Sequence, residues 1–190
     1  MRLFIGFIIL NFSFLSGQTV FDEKNEIGGV YYIINFFAKT INDFGYKDYL
    51  HKLNVETKIE FLDLEKKFGD VAKGTIAIAY GTMNNSKTHI LIDIGNWSKL
   101  STLEKFTTIF HEIAHDAFNV KHIEWDDKYN LMHPFIQPKD LDDLVIMTNR
   151  FFRDLQEGRL EYFKDEELYI HSNSLRSKTY THNKSILSNF

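Results

Sequence analysis

From about Gly29 to Phe44 the apolar residues Val30, Ile33, Ile34, Phe37, Ile41 and Phe44 recur at three- and four-residue steps, and Gly45 interrupts the run. That spacing predicts a helix with one face turned to a core. Three later stretches alternate instead: KIEFLDL (58 to 64), TIAIAYGT (75 to 82) and THILIDI (88 to 94). A period of two predicts strands, and in the third of them Ile90, Ile92 and Ile94 face one way while His89, Leu91 and Asp93 face the other. The link MNNSK (83 to 87) is rich in turn residues, so the second and third strands should form a hairpin. Helical periodicity then returns from about Thr102 to Phe118, behind Ser101 as N-cap and Glu104 three residues on, the two halves of a capping box. A last helix is expected from about Pro138 to Gly158, with Asp140, Asp142 and Asp143 at its start suiting the helix dipole. The predicted fold class is α+β, a small and mostly antiparallel sheet packed with helices.

The helix over 102 to 118 carries the segment HEIAHDAFNVKH, residues 111 to 122. A step of about 100° per residue puts His111 and His115 on one face, one turn apart, where two imidazoles can share a metal ion. Leu103, Phe106, Ile109, Phe110, Ile113, Ala114 and Ala117 gather on the opposite side. Zinc suits such a pair, because imidazole nitrogen is a good zinc ligand and a catalytic site takes three protein ligands and keeps one position open. Glu112 projects to the flank of the same face, where it would take a proton from the attacking water and pass it to a leaving amine.

Composition narrows the chemistry. The chain of 190 residues is 44% hydrophobic, with 18 Phe and 9 Tyr, enough for one packed domain. It has no cysteine, so disulfides, thiolate metal sites and cysteine nucleophiles are excluded and any metal falls to His, Asp or Glu. A net charge of −4 gives no basic footprint, so a nucleic-acid partner is not expected. At the start, Arg2 precedes an apolar run from Leu3 to Leu15, followed by the small residues Ser16 and Gly17. That is the layout of a secretory signal, cut before Gln18; the run is shorter than the ~20 residues that span a bilayer, so no stable membrane insertion should follow cleavage. The protein is therefore expected to be exported, to the periplasm or beyond. Residues 18 to 163 form the domain, and from Lys164 to Phe190 apolar periodicity fades into a Ser-, Asn- and Lys-rich stretch that reads as a mobile tail.

HEIAHDAFNVKH followed by YNLMHP resembles the zincin metallopeptidases, and among them the metzincin-like group; the segment from about Thr75 to Pro134 is also similar to small exported metallopeptidase-like proteins of Bacteroidetes and phages. The resemblance implies a zincin fold, a peptidase acting on proteins or peptides, a third histidine after the helix and a methionine turn beneath the metal. The group's pattern H-E-x-x-H-x-x-G-x-x-H puts that histidine ten residues after the first, where this chain has Lys121; His122 is one residue further, and Phe118 stands at the glycine position. Asn119 tolerates the left-handed conformation that ends helices, so NVKH can stand for G-x-x-H with the helix one residue longer. His122 is thus the third ligand implied, ahead of Asp126, Asp127, Glu124 or, on the following helix, Glu157. Met132 is the methionine of the turn. Pro134 stands where related enzymes have a metal-facing tyrosine, leaving Tyr129 and His133 as the nearest polar candidates for holding an oxyanion. Asp116 is open to two readings, a solvated surface acid or a partner of the ligands. By the same analogy the strand over 75 to 82 would offer its edge to substrate. Two other readings use the same residues: a zinc-binding module without turnover, and an exported interaction domain in which the motif is accidental.

Overall fold

A computed structural model of the protein describes residues 21–46, 56–79, 87–123, 129–134 and 138–163. The expected signal segment 1–17, the tail from 164, most of the 83–87 link and the acids Glu124, Asp126 and Asp127 lie outside them.

Helix α1 (Glu23–Asp43) starts six residues before the expected position, because Asp22 caps it by accepting from the Asn25 N–H and the acids Glu23 and Glu26 fill its first turn. Glu26 accepts from Trp97 Nε1 at 2.7 Å and from Lys105 Nζ at 3.0 Å, which ties the start of α1 to the chain that leads into the motif helix. Strand β1 (Glu56–Leu62) is followed by a short helix α2 (Leu64–Phe68), a 3-10 turn (Gly69–Ala72), strand β2 (Ala77–Ala79) and strand β3 (Lys87–Asp93). The one-turn helix α3 (Ile94–Trp97), the motif helix α4 (Thr102–Phe118) and helix α5 (Leu141–Gln156) complete the order.

The α+β class is as expected, but the sheet is mixed, not mostly antiparallel. Its order is β1-β3-β2, with β1 parallel to β3 over the whole length from Glu56↔Lys87 to Leu62↔Asp93, and β2 antiparallel to β3 over Ala77↔Ile92, Ile78↔Leu91 and Ala79↔Ile90. Alternation marks a strand but not its partner or direction. The parallel register wins because it sets Ile59 beside Ile90 and Phe61 beside Ile92, so the apolar faces of both strands coincide. The segment between β1 and β3 supplies the long connection that parallel pairing demands.

On that face the main core gathers Ile59, Phe61, Ile90 and Ile92 with Val30, Phe37 and Ile41 of α1 and Ile109, Phe110 and Ile113 of α4. The Phe37 and Phe110 rings meet edge to face at 4.7 Å, a geometry that contributes about 0.5–1.5 kcal/mol beyond burial. The other face of the sheet is closed by a small cluster of Leu64, Ala72, Ile78 and Leu91. Helix α5, capped by Asp140, brings Met147, Phe151, Phe152 and Leu155 to the main core. Beyond it the chain returns to the end of α4: the Lys121 N–H donates to the Glu161 carbonyl at 2.7 Å, the Phe163 N–H to the Asn119 carbonyl at 2.8 Å, and Val120 bridges Tyr162. No helix among the described residues is long and apolar enough to cross a membrane.

Candidate metal centre

The Ser101 side chain accepts from the Glu104 N–H while the Glu104 carboxylate accepts from the Ser101 N–H, so α4 begins where the capping box predicts. It ends at Asn119, whose φ of 54° is the left-handed turn expected there and reverses the chain. Every residue from Thr107 to Phe118 is buried, so the face that carries the histidines is enclosed as fully as the apolar back. His111, Glu112 and His115 are 0% exposed and His122 is 6% exposed. His111, His115 and His122 come together as a group able to hold a metal ion, with ligand nitrogens within 4.8 Å of one another.

Their hydrogen bonds define which nitrogens face inward. His111 Nδ1 lies 2.6 Å from the Leu131 carbonyl and His115 Nδ1 lies 2.6 Å from the Val120 carbonyl. A carbonyl oxygen only accepts, so both Nδ1 atoms carry the proton and both Nε2 atoms of the neutral rings carry a lone pair. Yet His111 Nε2 lies 2.9 Å from His115 Nε2 and 2.9 Å from His122 Nε2. Between His111 and His115, both protonated at Nδ1, two lone pairs at that distance repel unless a proton or a cation stands between them. A proton is disfavoured, because burial above all, and then charge on the nearby His133, push the His111 imidazole down to about 4 against the opposing Leu131 bond. A metal cation satisfies the arrangement. Three imidazoles, two of them held at Nδ1 by backbone carbonyls, with no thiolate available, fit a zinc-type donor set.

Glu112 turns toward the sheet. Its Oε2 accepts from the Ala79 N–H at 2.7 Å, at the end of the edge strand β2, and its Oε1 is buried with no hydrogen-bond partner among the described residues. Burial raises this carboxyl to about 8, against the lowering effect of the Ala79 N–H. The sign of the resulting pH dependence is fixed. With metal removed by chelator, the folded protein keeps the Glu112 proton up to about pH 8 while the unfolded chain releases it near 4.5, so rising pH costs stability between those values and nothing further above them. Glu112→Gln lacks this loss. Between pH 5 and 7 the metal-free parent should therefore lose roughly 3 kcal/mol relative to the variant, at about 1.4 kcal/mol per pH unit. Urea unfolding of both at a series of pH values measures it, and parallel curves would contradict the buried carboxyl.

The remaining expected residues divide. Met132 is fully buried in the main core, its N–H donating to Asn130 Oδ1 and its carbonyl accepting from the Ile123 N–H, so its turn lies against both His111 and the residue after His122. Asp116 is not a solvated acid: it is 3% exposed and accepts from Thr88 Oγ1 of β3 at 2.6 Å, because the chain end of α4 lies under the sheet. Tyr129 and His133 flank the turn, both half-buried. Glu157 stands at the C-cap of α5, exposed and paired with Arg159, away from the three histidines.

Two polar residues of this region, Asn130 and Asp154, have no motif to mark them. Asn130 Nδ2 donates to Asp154 Oδ2 at 2.9 Å, both side chains being buried. One signal is present in the sequence: Asp154 falls seven residues after Met147 and three after Phe151, an acid on the apolar stripe of its helix. No family model, characterised protein or solved structure matches the chain.

Proposed function

We propose that the protein is an exported zinc-dependent endopeptidase, acting on protein or peptide substrates in the periplasm or outside the cell, with His111, His115 and His122 as zinc ligands and Glu112 as the proton-transfer residue. The observation that supports this most directly is the convergence of the His111, His115 and His122 Nε2 atoms, beside a buried carboxyl with one oxygen left open. Zinc bound there would supply positive charge that polarises a scissile carbonyl and makes water more acidic.

The chain's own residues account for the rest. The Leu131 and Val120 carbonyls hold His111 and His115 in the tautomer that presents Nε2. The Ala79 N–H fixes one oxygen of Glu112 and leaves Oε1 to accept a proton from water and return it to the leaving amine. A cation nearby lowers the carboxyl from its raised value toward the carboxylate form that a base requires. Strand β2, at the edge of the described sheet and joined to Glu112 through Ala79, is where an extended peptide would add by main-chain hydrogen bonds. In this reading the turn that contains Met132, whose Leu131 carbonyl accepts from His111 Nδ1, would serve as the methionine turn.

The purified protein is expected to carry one zinc per molecule and to cleave an unstructured protein such as casein. A chelator should abolish cleavage, and added zinc should restore it. Zinc without cleavage would leave a binding module, and no zinc after reconstitution would end the reading.

A further inference from the structure

The geometry points to Asn130 and Asp154 as positioning residues that set the affinity of the candidate metal centre by holding the turn beneath it, an inference that rests on the metal-binding reading above. Three bonds run in sequence. Arg159 Nη1 donates to Asp154 Oδ1 at 2.9 Å, Asn130 Nδ2 donates to Asp154 Oδ2 at 2.9 Å, and the Met132 N–H donates to Asn130 Oδ1 at 3.0 Å. Leu131 lies between the two ends of the last bond, and its carbonyl accepts from His111 Nδ1 at 2.6 Å. The same turn reaches a second ligand, since the Met132 carbonyl accepts from the N–H of Ile123, next to His122. The His133 N–H closes the turn on the Asn130 carbonyl at 3.0 Å.

Asn130 is 0% exposed and Asp154 is 1% exposed. For packing alone a buried polar pair has no advantage, because apolar residues of the same volume stabilise a core as well or better. What an apolar pair lacks is a grip on the Met132 N–H, and so on the direction of the Leu131 carbonyl. Outer partners of metal-bound imidazoles fix ring orientation and tautomer, and their loss typically weakens binding about 10- to 100-fold. Asn130 uses both ends of its amide for this, and Asp154 decides which way that amide faces.

Three variants test the inference. Asn130→Asp keeps an acceptor for the Met132 N–H but sets a second carboxylate against Asp154. Asp154→Asn leaves a single acceptor oxygen for two donors, Arg159 and Asn130. The double variant Asn130→Asp/Asp154→Asn reverses the pair, so that position 154 donates, position 130 accepts, and Arg159 and the Met132 N–H each keep a partner. Ile41→Val, a core change in α1, serves as the reference for general loss of stability. Zinc affinity is read by competition with a chromophoric chelator, and the nitrogen-15 shifts of the His111 ring are read in the metal-free proteins, all under conditions where circular dichroism reports a folded chain.

Each single variant is expected to bind zinc about 10- to 100-fold more weakly and to lose the uniform Nδ1–H signature of His111. The double variant should recover both, and Ile41→Val should change neither. Single variants that bind zinc like the parent, or a double variant no better than the singles, would overturn the inference. A parent that binds no zinc would end the metal reading, and the His111 signature alone would then decide: retained in Asn130→Asp and Asp154→Asn, it overturns the positioning role; lost in both and restored in the double variant, it upholds it.

Discussion

Glu112→Gln is expected to retain its zinc and lose peptide hydrolysis by about 10²- to 10⁴-fold in kcat, the range that proton transfer by a positioned side chain supplies. The substitution preserves what the site needs structurally. An amide of the same shape still accepts from the Ala79 N–H through its oxygen and occupies the same buried volume. It cannot accept a proton where Oε1 now stands. Burial strengthens the expectation, because no other acid is given a comparable place on α4: Asp116, the only other carboxylate on the motif turn, is engaged by Thr88 on the sheet side. A fluorogenic peptide assay with zinc content measured on the same samples separates the outcomes. Cleavage at the parental rate would remove Glu112 from the chemistry, while loss of both zinc and cleavage would give it a role in holding the metal.

His122→Ala is expected to weaken zinc binding by more than the ~100-fold that loss of an outer partner can cost, and to abolish cleavage with it. His122 is the ligand whose identity turns on one residue of chain length. The left-handed Asn119 and the bridge between Val120 and Tyr162 carry the chain from the end of α4 so that position 122 meets His111, at 2.9 Å between Nε2 atoms. Lys121, ten residues after His111, instead bonds through its backbone to Glu161 and lays its ammonium 5.8 Å from the Phe163 ring centroid. Lys121→Ala should accordingly leave zinc affinity unchanged. Equilibrium dialysis against zinc buffers compares the three proteins. Parental affinity in His122→Ala would transfer the third position to Asp126 or Asp127.

Helix α4 is legible in the sequence because several local signals agree on it: the 3.6-residue period, Ser101 with Glu104 at one end and Asn119 at the other. The pair His111 and His115 is legible for the same reason, since helix geometry alone brings them together, whereas His122 is legible only through the resemblance, with Asn119 as the turn that returns it. The direction of β1 is not legible, because pairing with β3 depends on how a segment of more than twenty residues folds back between them, and alternation is identical in parallel and antiparallel edges. The early start of α1 is masked by Gly28 and Gly29, which break the apolar pattern although Asp22 caps the helix before them. Burial of Glu112 follows from Ala79, 33 residues away, and no local pattern carries that contact. Asn130 and Asp154 are 24 residues apart and acquire meaning only from each other.

All three inward nitrogens belong to a stretch of twelve residues, whereas the carbonyl that orients His111 lies twenty residues downstream. An unfolded chain therefore already offers a short, cheaply closed chelating loop, and a metal ion would bind it to some degree before any tertiary structure exists. Whatever zinc contributes to the folding equilibrium is the difference between the two affinities, not the full binding free energy. The Leu131 carbonyl, which contributes no side-chain ligand and which the chain reaches only once the turn has docked, adds to that difference. In an unfolded chain metal capture and folding would thus be separable events, with the distant carbonyl converting a loose chelate into a fixed one.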